Sequence, residues 1–149
     1  MTAVSATIDI RVPPQRVWDV IMDPDRFGDW VTIHRRLGHV DDGDLREGFR
    51  VDQTLCLYRA NFHVKWELAS LDAPHHAVWE GKGPAGSQAR IEDRLAPLDG
   101  GAWTRFDYVN EYEQPGGFLG RVAGRVLVAG VAEREANRSL RRLKALLEG

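Results

Sequence analysis

The chain has 149 residues, 43% of them hydrophobic and 28% charged, which suits one soluble globular domain spanning 1–149 and is short for two. Twenty basic against twenty-two acidic residues give a formal charge of −2, so no overall positive field exists to hold nucleic acid or an anionic bilayer. A single cysteine excludes an internal disulfide framework and a cysteine-rich zinc site, and it fits a reducing, cytoplasmic setting.

The opening MTAVSATIDI reaches an acid at Asp9 with no basic flank before it, so it is not expected to act as a secretory leader. Val4, Ala6, Ile8, Ile10 and Val12 alternate with polar or small residues, the period-two pattern of a strand with one buried face. Pro13 and Pro14 end that strand and suit a first helical turn. Val17, Trp18, Val20 and Ile21 then recur at helical spacing, and the helix is expected to end near Asp23-Pro24. Asp25 to Trp30 reads as one or two further helical turns.

From about Ile33 to Gln114 the alternation returns, broken by turn chemistry at Asp41-Asp42-Gly43-Asp44, Asp72-Ala73-Pro74, Gly83-Pro84-Ala85-Gly86 and Asp99-Gly100-Gly101. Six strands fit this stretch. Such short turns make them antiparallel, and a sheet with one wet face needs a cover on the other. After Pro115-Gly116-Gly117, apolar residues at Leu119, Val122, Val126, Ala129, Ala136, Leu140, Leu143 and Leu147 give one long helix. Glycines at 120, 124 and 130 weaken its first half, and the leucine seam strengthens the second. A helix of that length outruns a ten-residue strand, at about 1.5 against 3.3 Å per residue, so the sheet must curl or the helix bend. The most apolar stretch, Val126 to Ala132, is far shorter than the roughly 20 residues of a membrane span.

This order of elements resembles the helix-grip fold of the SRPBCC superfamily, which includes START-like lipid carriers, pollen-allergen-like proteins and bacterial polyketide cyclases. Residues 12–30, VPPQRVWDVIMDPDRFGDW, resemble the family's opening, with a Pro-Pro helix start, a tryptophan in the first helix, then Asp-Pro and a second tryptophan. The tail ANRSLRRLKALLEG resembles its closing helix. The likeness implies an α+β fold: a curved seven-stranded antiparallel sheet wrapped round a long C-terminal helix, with two short helices between strands 1 and 2. It also implies a cavity for a small apolar ligand between sheet and helix, where some members catalyse aldol cyclisation or dehydration.

Residues expected to face such a cavity are Trp30, Gln53, Leu55, Leu57, Val64, Trp66, Trp79, Ile91, Phe106, Asn110 and Tyr112, with Val122 and Val126 from the helix. Large rings on a bent sheet can cover a flat or elongated ligand, or they can simply fill the interior. Gln53, Asp93 and Asn110 stand out because each falls on a face whose other members are apolar. Asp93 shares its register with Ala89, Ile91 and Leu95, and a buried carboxylate needs a donor, a cation or a proton. Pairing with an inward arginine such as Arg59, Arg125 or Arg134, or a strand end that reaches solvent, is the alternative to a site role. His34 lies at the junction with strand 2, whose faces are not distinguished by pattern; if Val40 points inward, so does His34. Were the protein an enzyme, His34 or Asp93 would serve as base and Tyr108 or Asn110 as donor to an enolate oxygen.

Other chemistry is weakly supported. Cys56 faces away from Leu55 and Leu57, no serine sits in a Gly-x-Ser-x-Gly turn, and His63, His75 and His76 lack metal-ligand spacing. No metal and no cofactor are expected. From Gly117 onward seven basic residues oppose three acidic ones, which reads as a solvated helix face, with membrane contact at most transient. The expected function is binding or transport of a small hydrophobic or aromatic ligand, lipid or polyketide-like; the alternative is a polyketide cyclase or dehydratase. Oligomeric state is not legible in the sequence.

Overall fold

A computed structural model of the chain describes residues 2–57, 59–113 and 130–149 in full, and the backbone alone over 118–129. Strand β1 (Thr2–Ile10) buries Val4, Ala6 and Ile10, as its alternation requires. Helix α1 (Pro14–Ile21) begins on Pro14, where the missing amide is no loss, and buries Val17, Trp18, Val20 and Ile21. The side chain of Asp23 then accepts from the amide of Asp25 at 3.0 Å, capping a single 3-10 turn at Pro24–Arg26. Helix α2 (Phe27–Trp30) follows and buries Trp30.

The remaining strands are β2 (His34–Val40), β3 (Arg50–Leu57), β4 (Ala60–Asp72), β5 (His76–Lys82), β6 (Gln88–Leu98) and β7 (Trp103–Glu113). With β1 they form one seven-stranded antiparallel sheet in the order β1-β7-β6-β5-β4-β3-β2. Six successive strands therefore meander, and β1 closes against the last of them. This is the helix-grip architecture expected from the sequence, with α3 (Phe118–Glu148) as the gripped helix.

Strand β2 explains its own ambiguity. Its pairing with β3 slips between His34 and Arg36 and again between Leu37 and Val40, so no strict alternation exists to be read. Leu37 and Val40 pack against the core although they are not two apart.

Helix α3 packs on β1 and α2, burying Ala136, Leu140, Leu143 and Leu147. Its end is tied down: Lys144 Nζ donates to the Asp9 carbonyl at 2.7 Å, and the Arg11 amide donates to Glu148 Oε2 at 2.9 Å. The expected inward positions Val122 and Val126 lie outside the described residues. Among the described residues no helix is long and apolar enough to cross a membrane.

One buried polar contact locks β7 to the α1 entrance. Thr104, fully buried, donates from Oγ1 to the Val12 carbonyl at 2.8 Å. A Thr104→Val substitution keeps the shape but strands that carbonyl, and urea unfolding is expected to show a loss of about 1–2 kcal/mol. An unchanged midpoint would mean that the bond contributes nothing net.

Candidate functional site

Between the concave face of the sheet and α3 lies a cavity of about 700 Å³. Its existence has a cause in the residues. Among the described residues α3 borders it with Ala132, Ala136 and Ser139, small side chains at spacings of four and three, together with Glu135, so this part of the helix leaves room against the sheet. The leucine seam begins only at Leu140, and there the contact with the sheet is closed.

Of the residues expected at the cavity, Trp30, Gln53, Leu55, Leu57, Val64, Trp66, Trp79, Ile91, Asn110 and Tyr112 line it, together with Asp93 and Tyr108. Two expectations need correction. Phe106 is fully buried and does not line the cavity, because Trp30 of α2 covers it, with its ring 6.2 Å from Trp30 and 5.6 Å from Tyr108. His34 is half-buried behind Gln53 and is not a lining residue, because the irregular start of β2 turns it toward Phe27, whose ring is 6.3 Å away. Further lining residues not anticipated include Ile21, Phe27, Val31, Ile33, Val51 and Phe62. Phe27 and Val31 sit four apart at α2, a spacing that could have marked them.

Gln53, only 6% exposed, is fully engaged within the protein. Its Oε1 accepts from Trp66 Nε1 at 2.9 Å, and its Nε2 lies 2.8 Å from His34 Nδ1. Indole can only donate, which fixes the amide oxygen toward Trp66 and the amide nitrogen toward His34. His34 Nδ1 must therefore accept, so the ring is neutral with its proton on Nε2. Burial lowers its pKa in the same sense. The histidine thus buttresses the cavity wall rather than offering a base to its interior.

Asp93 is different. It is 4% exposed, and its Oδ1 has no hydrogen-bond partner among the described residues. Of its suggested partners, Arg59 and Arg134 are exposed, and the side chain of Arg125 lies outside the described residues. Desolvation, assisted by the charge of Glu92, pushes the Asp93 carboxyl up to about 8. Across the sheet it pairs with Tyr108, whose phenol is raised by burial and then by the neighbouring Asp93 charge, and whose hydroxyl bonds Asn110. Burial thus favours the protonated form of both groups. Trp30 Nε1 is also buried without a partner among the described residues.

The loop after α2 is latched to α3 beside the cavity. The Thr32 amide donates to Ser139 Oγ at 3.0 Å, and its hydroxyl bonds the Glu135 carboxylate. Burial raises the Glu135 pKa, but the bonds from Thr32 and Arg138 outweigh it and hold the group ionised.

The family model described as polyketide cyclase / dehydrase and lipid transport matches residues 1–148. Among curated proteins, the Mycobacterium tuberculosis protein named toxin Rv0910 is 25% identical over 107 residues, covering 72% of this chain and 74% of its own. The uncharacterized protein Rv1546 of the same species is 24% identical over 102 residues, covering 68% and 71%. The Zhui aromatase/cyclase from a Streptomyces species shares the fold with a TM-score of 0.81 at 17% identity, over 99% of this chain and 93% of its own. A conserved protein from Geobacillus kaustophilus shares it with a TM-score of 0.75 at 18% identity, over 99% and 95%.

Proposed function

Because the chain belongs to the polyketide cyclase / dehydrase and lipid transport family, we propose that it binds one small hydrophobic or aromatic molecule between its sheet and α3. The observation carrying this reading is the cavity of about 700 Å³ whose walls are mainly aromatic and aliphatic. Affinity would come from burial of ligand surface, at about 25 cal/mol per Å² of apolar area removed from water. A lipid or a polyketide-like compound fits such walls equally well in kind. The protein would work in the cytoplasm as a binder or carrier, without cofactor or metal.

A direct test uses the tryptophans at the walls. Titration with isopropenylnaphthalene is expected to quench Trp emission saturably, with about one molecule bound per chain, and native mass spectrometry of freshly purified protein is expected to show a bound apolar mass. Linear, non-saturating quenching together with a bare protein mass would remove the binding reading.

A second reading, aldol-type cyclisation or aromatisation, is favoured by Asp93, Tyr108 and Asn110 standing together in an apolar cavity. They could polarise a carbonyl of a folded poly-carbonyl chain. His34 is committed to Gln53, so Asp93, whose carboxyl burial pushes up to about 8, is the base this reading retains. Binding is the leading reading because the apolar cavity supports it without any catalytic group. The cyclase reading requires that Asp93→Asn slow turnover of a reactive poly-carbonyl far more than it weakens binding; equal losses would discard it.

A further inference from the structure

Two hydrogen bonds run in one line from β2 to the cavity wall: His34 Nδ1 lies 2.8 Å from Gln53 Nε2, and Trp66 Nε1 donates to Gln53 Oε1 at 2.9 Å. Gln53 and Trp66 border the cavity, whereas His34 stands behind them, half-buried. The line has a single workable direction. Because the indole can only donate, the amide oxygen must face it, and the amide nitrogen must then donate to an unprotonated Nδ1. Protonation of His34 makes both ring nitrogens donors and removes that acceptor. Turning the amide over would satisfy the imidazolium but would set its N–H groups against the indole N–H. No setting of the Gln53 side chain serves both rings once His34 is charged.

We infer that His34 is a positioning residue for Trp66: through Gln53 its neutral ring holds the indole in the cavity wall, and its protonation frees the indole to enter the space a ligand would fill. This rests on the binding reading above and adds a control on it. Burial lowers the His34 pKa from 6.5, so the change falls on the acid side of that value. Charged groups on the elements packed against the imidazole are engaged elsewhere or exposed. On α2, Arg26 and Asp29 pair with each other at 2.7 Å. From α3, Arg142 reaches the carbonyl of Gly28, the glycine that lies against the imidazole, at 3.5 Å. Arg35 and Arg36 of β2 itself are exposed, and β3 faces His34 with the uncharged Gln53 and Leu55. Asp93, in the same cavity, titrates near 8, above this range.

The test measures the affinity of isopropenylnaphthalene, a probe without charge, by Trp quenching at pH 7 and pH 5 in the unsubstituted protein and in His34→Asn. Asparagine offers a carbonyl oxygen near the place of Nδ1 and does not titrate, while every other ionisable group is common to both proteins and cancels. The unsubstituted protein is expected to lose about fivefold in affinity on going to pH 5, the value of about one net hydrogen bond, and His34→Asn to keep its pH 7 affinity at both. In the ligand-free protein the indole N–H resonance of Trp66, identified by its absence from Trp66→Phe, is expected to move with the ring-proton resonances of His34 as pH falls, and to stay fixed in His34→Asn. The same pH profile of affinity in both proteins would overturn the inference, as would an indole resonance indifferent to the His34 titration, and either result leaves the binding reading intact. Failure of the probe to bind saturably at either pH would remove the binding reading, and the indole resonance alone would then decide whether His34 holds Trp66.

Discussion

Replacing Asp93 by asparagine is expected to make the protein more stable above neutral pH. In the folded chain the carboxyl is held near 8, against an ordinary value of 3.8, by burial and secondarily by Glu92. Between those values the folded state keeps a proton that the unfolded chain releases, so stability falls as pH rises, by about 1.4 kcal/mol per unit at most. In the fold the side chain is a neutral acid throughout this window and a buried anion above it. Asparagine has nearly the same shape and cannot ionise, so its variant lacks the slope. At pH 5 the two proteins should unfold within about 1–2 kcal/mol of each other, and by pH 8 the variant should lead by on the order of 3 kcal/mol. His34, whose lowered pKa acts in the opposite sense below about 6.5, is present in both proteins and cancels in the comparison. The lowered carboxyls of Asp9, Asp41, Glu92, Glu135 and Glu148 lose their stabilising effect only as pH falls below their ordinary values of 3.8 and 4.5, outside the pH 5–8 range compared. Urea unfolding across pH 5–8, after refolding from denaturant to strip the cavity, measures the difference. Parallel curves would mean that Asp93 titrates as an ordinary surface carboxylate, and the polar end of the cavity would lose its neutral acid.

The residue behind that prediction was conspicuous in the sequence. Asp93 alternates with Ile91 and Leu95 while its chain neighbours Glu92 and Arg94 point outward, and a charge on the apolar face of a regular strand is visible without coordinates. The same regularity made β3, β4, β6 and β7 legible, and with them most of the cavity wall. His34 shows the converse. Two slips in the β2–β3 register destroy the alternation on which such reading depends, so its orientation rested on a pattern the strand does not have. Phe106 marks another boundary: alternation assigns a face of the sheet but not what covers it, and the covering at Phe106 is Trp30 rather than ligand space. The cavity had a sequence cause that is easily passed over. Ala132, Ala136 and Ser139 stand where larger residues would have filled the grip, and small side chains on a helix give no hydrophobic signal of their own. The satisfied state of Gln53 and the unsatisfied one of Asp93 were beyond reach, since hydrogen-bond partners 19 residues apart depend on register and rotamer together.

Gly81→Ala is expected to damage both stability and binding through one side chain. Gly81 is buried on β5 directly opposite Trp66 on β4. A Cβ at this position would lie 2.7 Å from two ring carbons of Trp66 and 2.7 Å from Val64 Cγ1, closer than carbon atoms can approach. The glycine therefore makes room for the indole to lie flat across the neighbouring strand, a role that no other residue type can fill. Val64 and Trp66 are both buried and both border the cavity, and the expected relief is for Trp66, which meets the new Cβ with two ring atoms, to swing away from the sheet into that space. That motion also breaks the 2.9 Å bond from its Nε1 to Gln53, leaving a buried amide oxygen without its donor and loosening the amide's hold on His34. Overpacking of this kind costs about 1–3 kcal/mol, and the lost bond adds about 1 kcal/mol. The indole would occupy ligand space, so naphthyl probe affinity should fall by about tenfold or more, equivalent to about 1.4 kcal/mol. Urea unfolding and probe titration on the same preparation separate the two effects. A stable variant with undiminished affinity would show that the wall yields elsewhere, and that the face of Trp66 does not define the size of the guest.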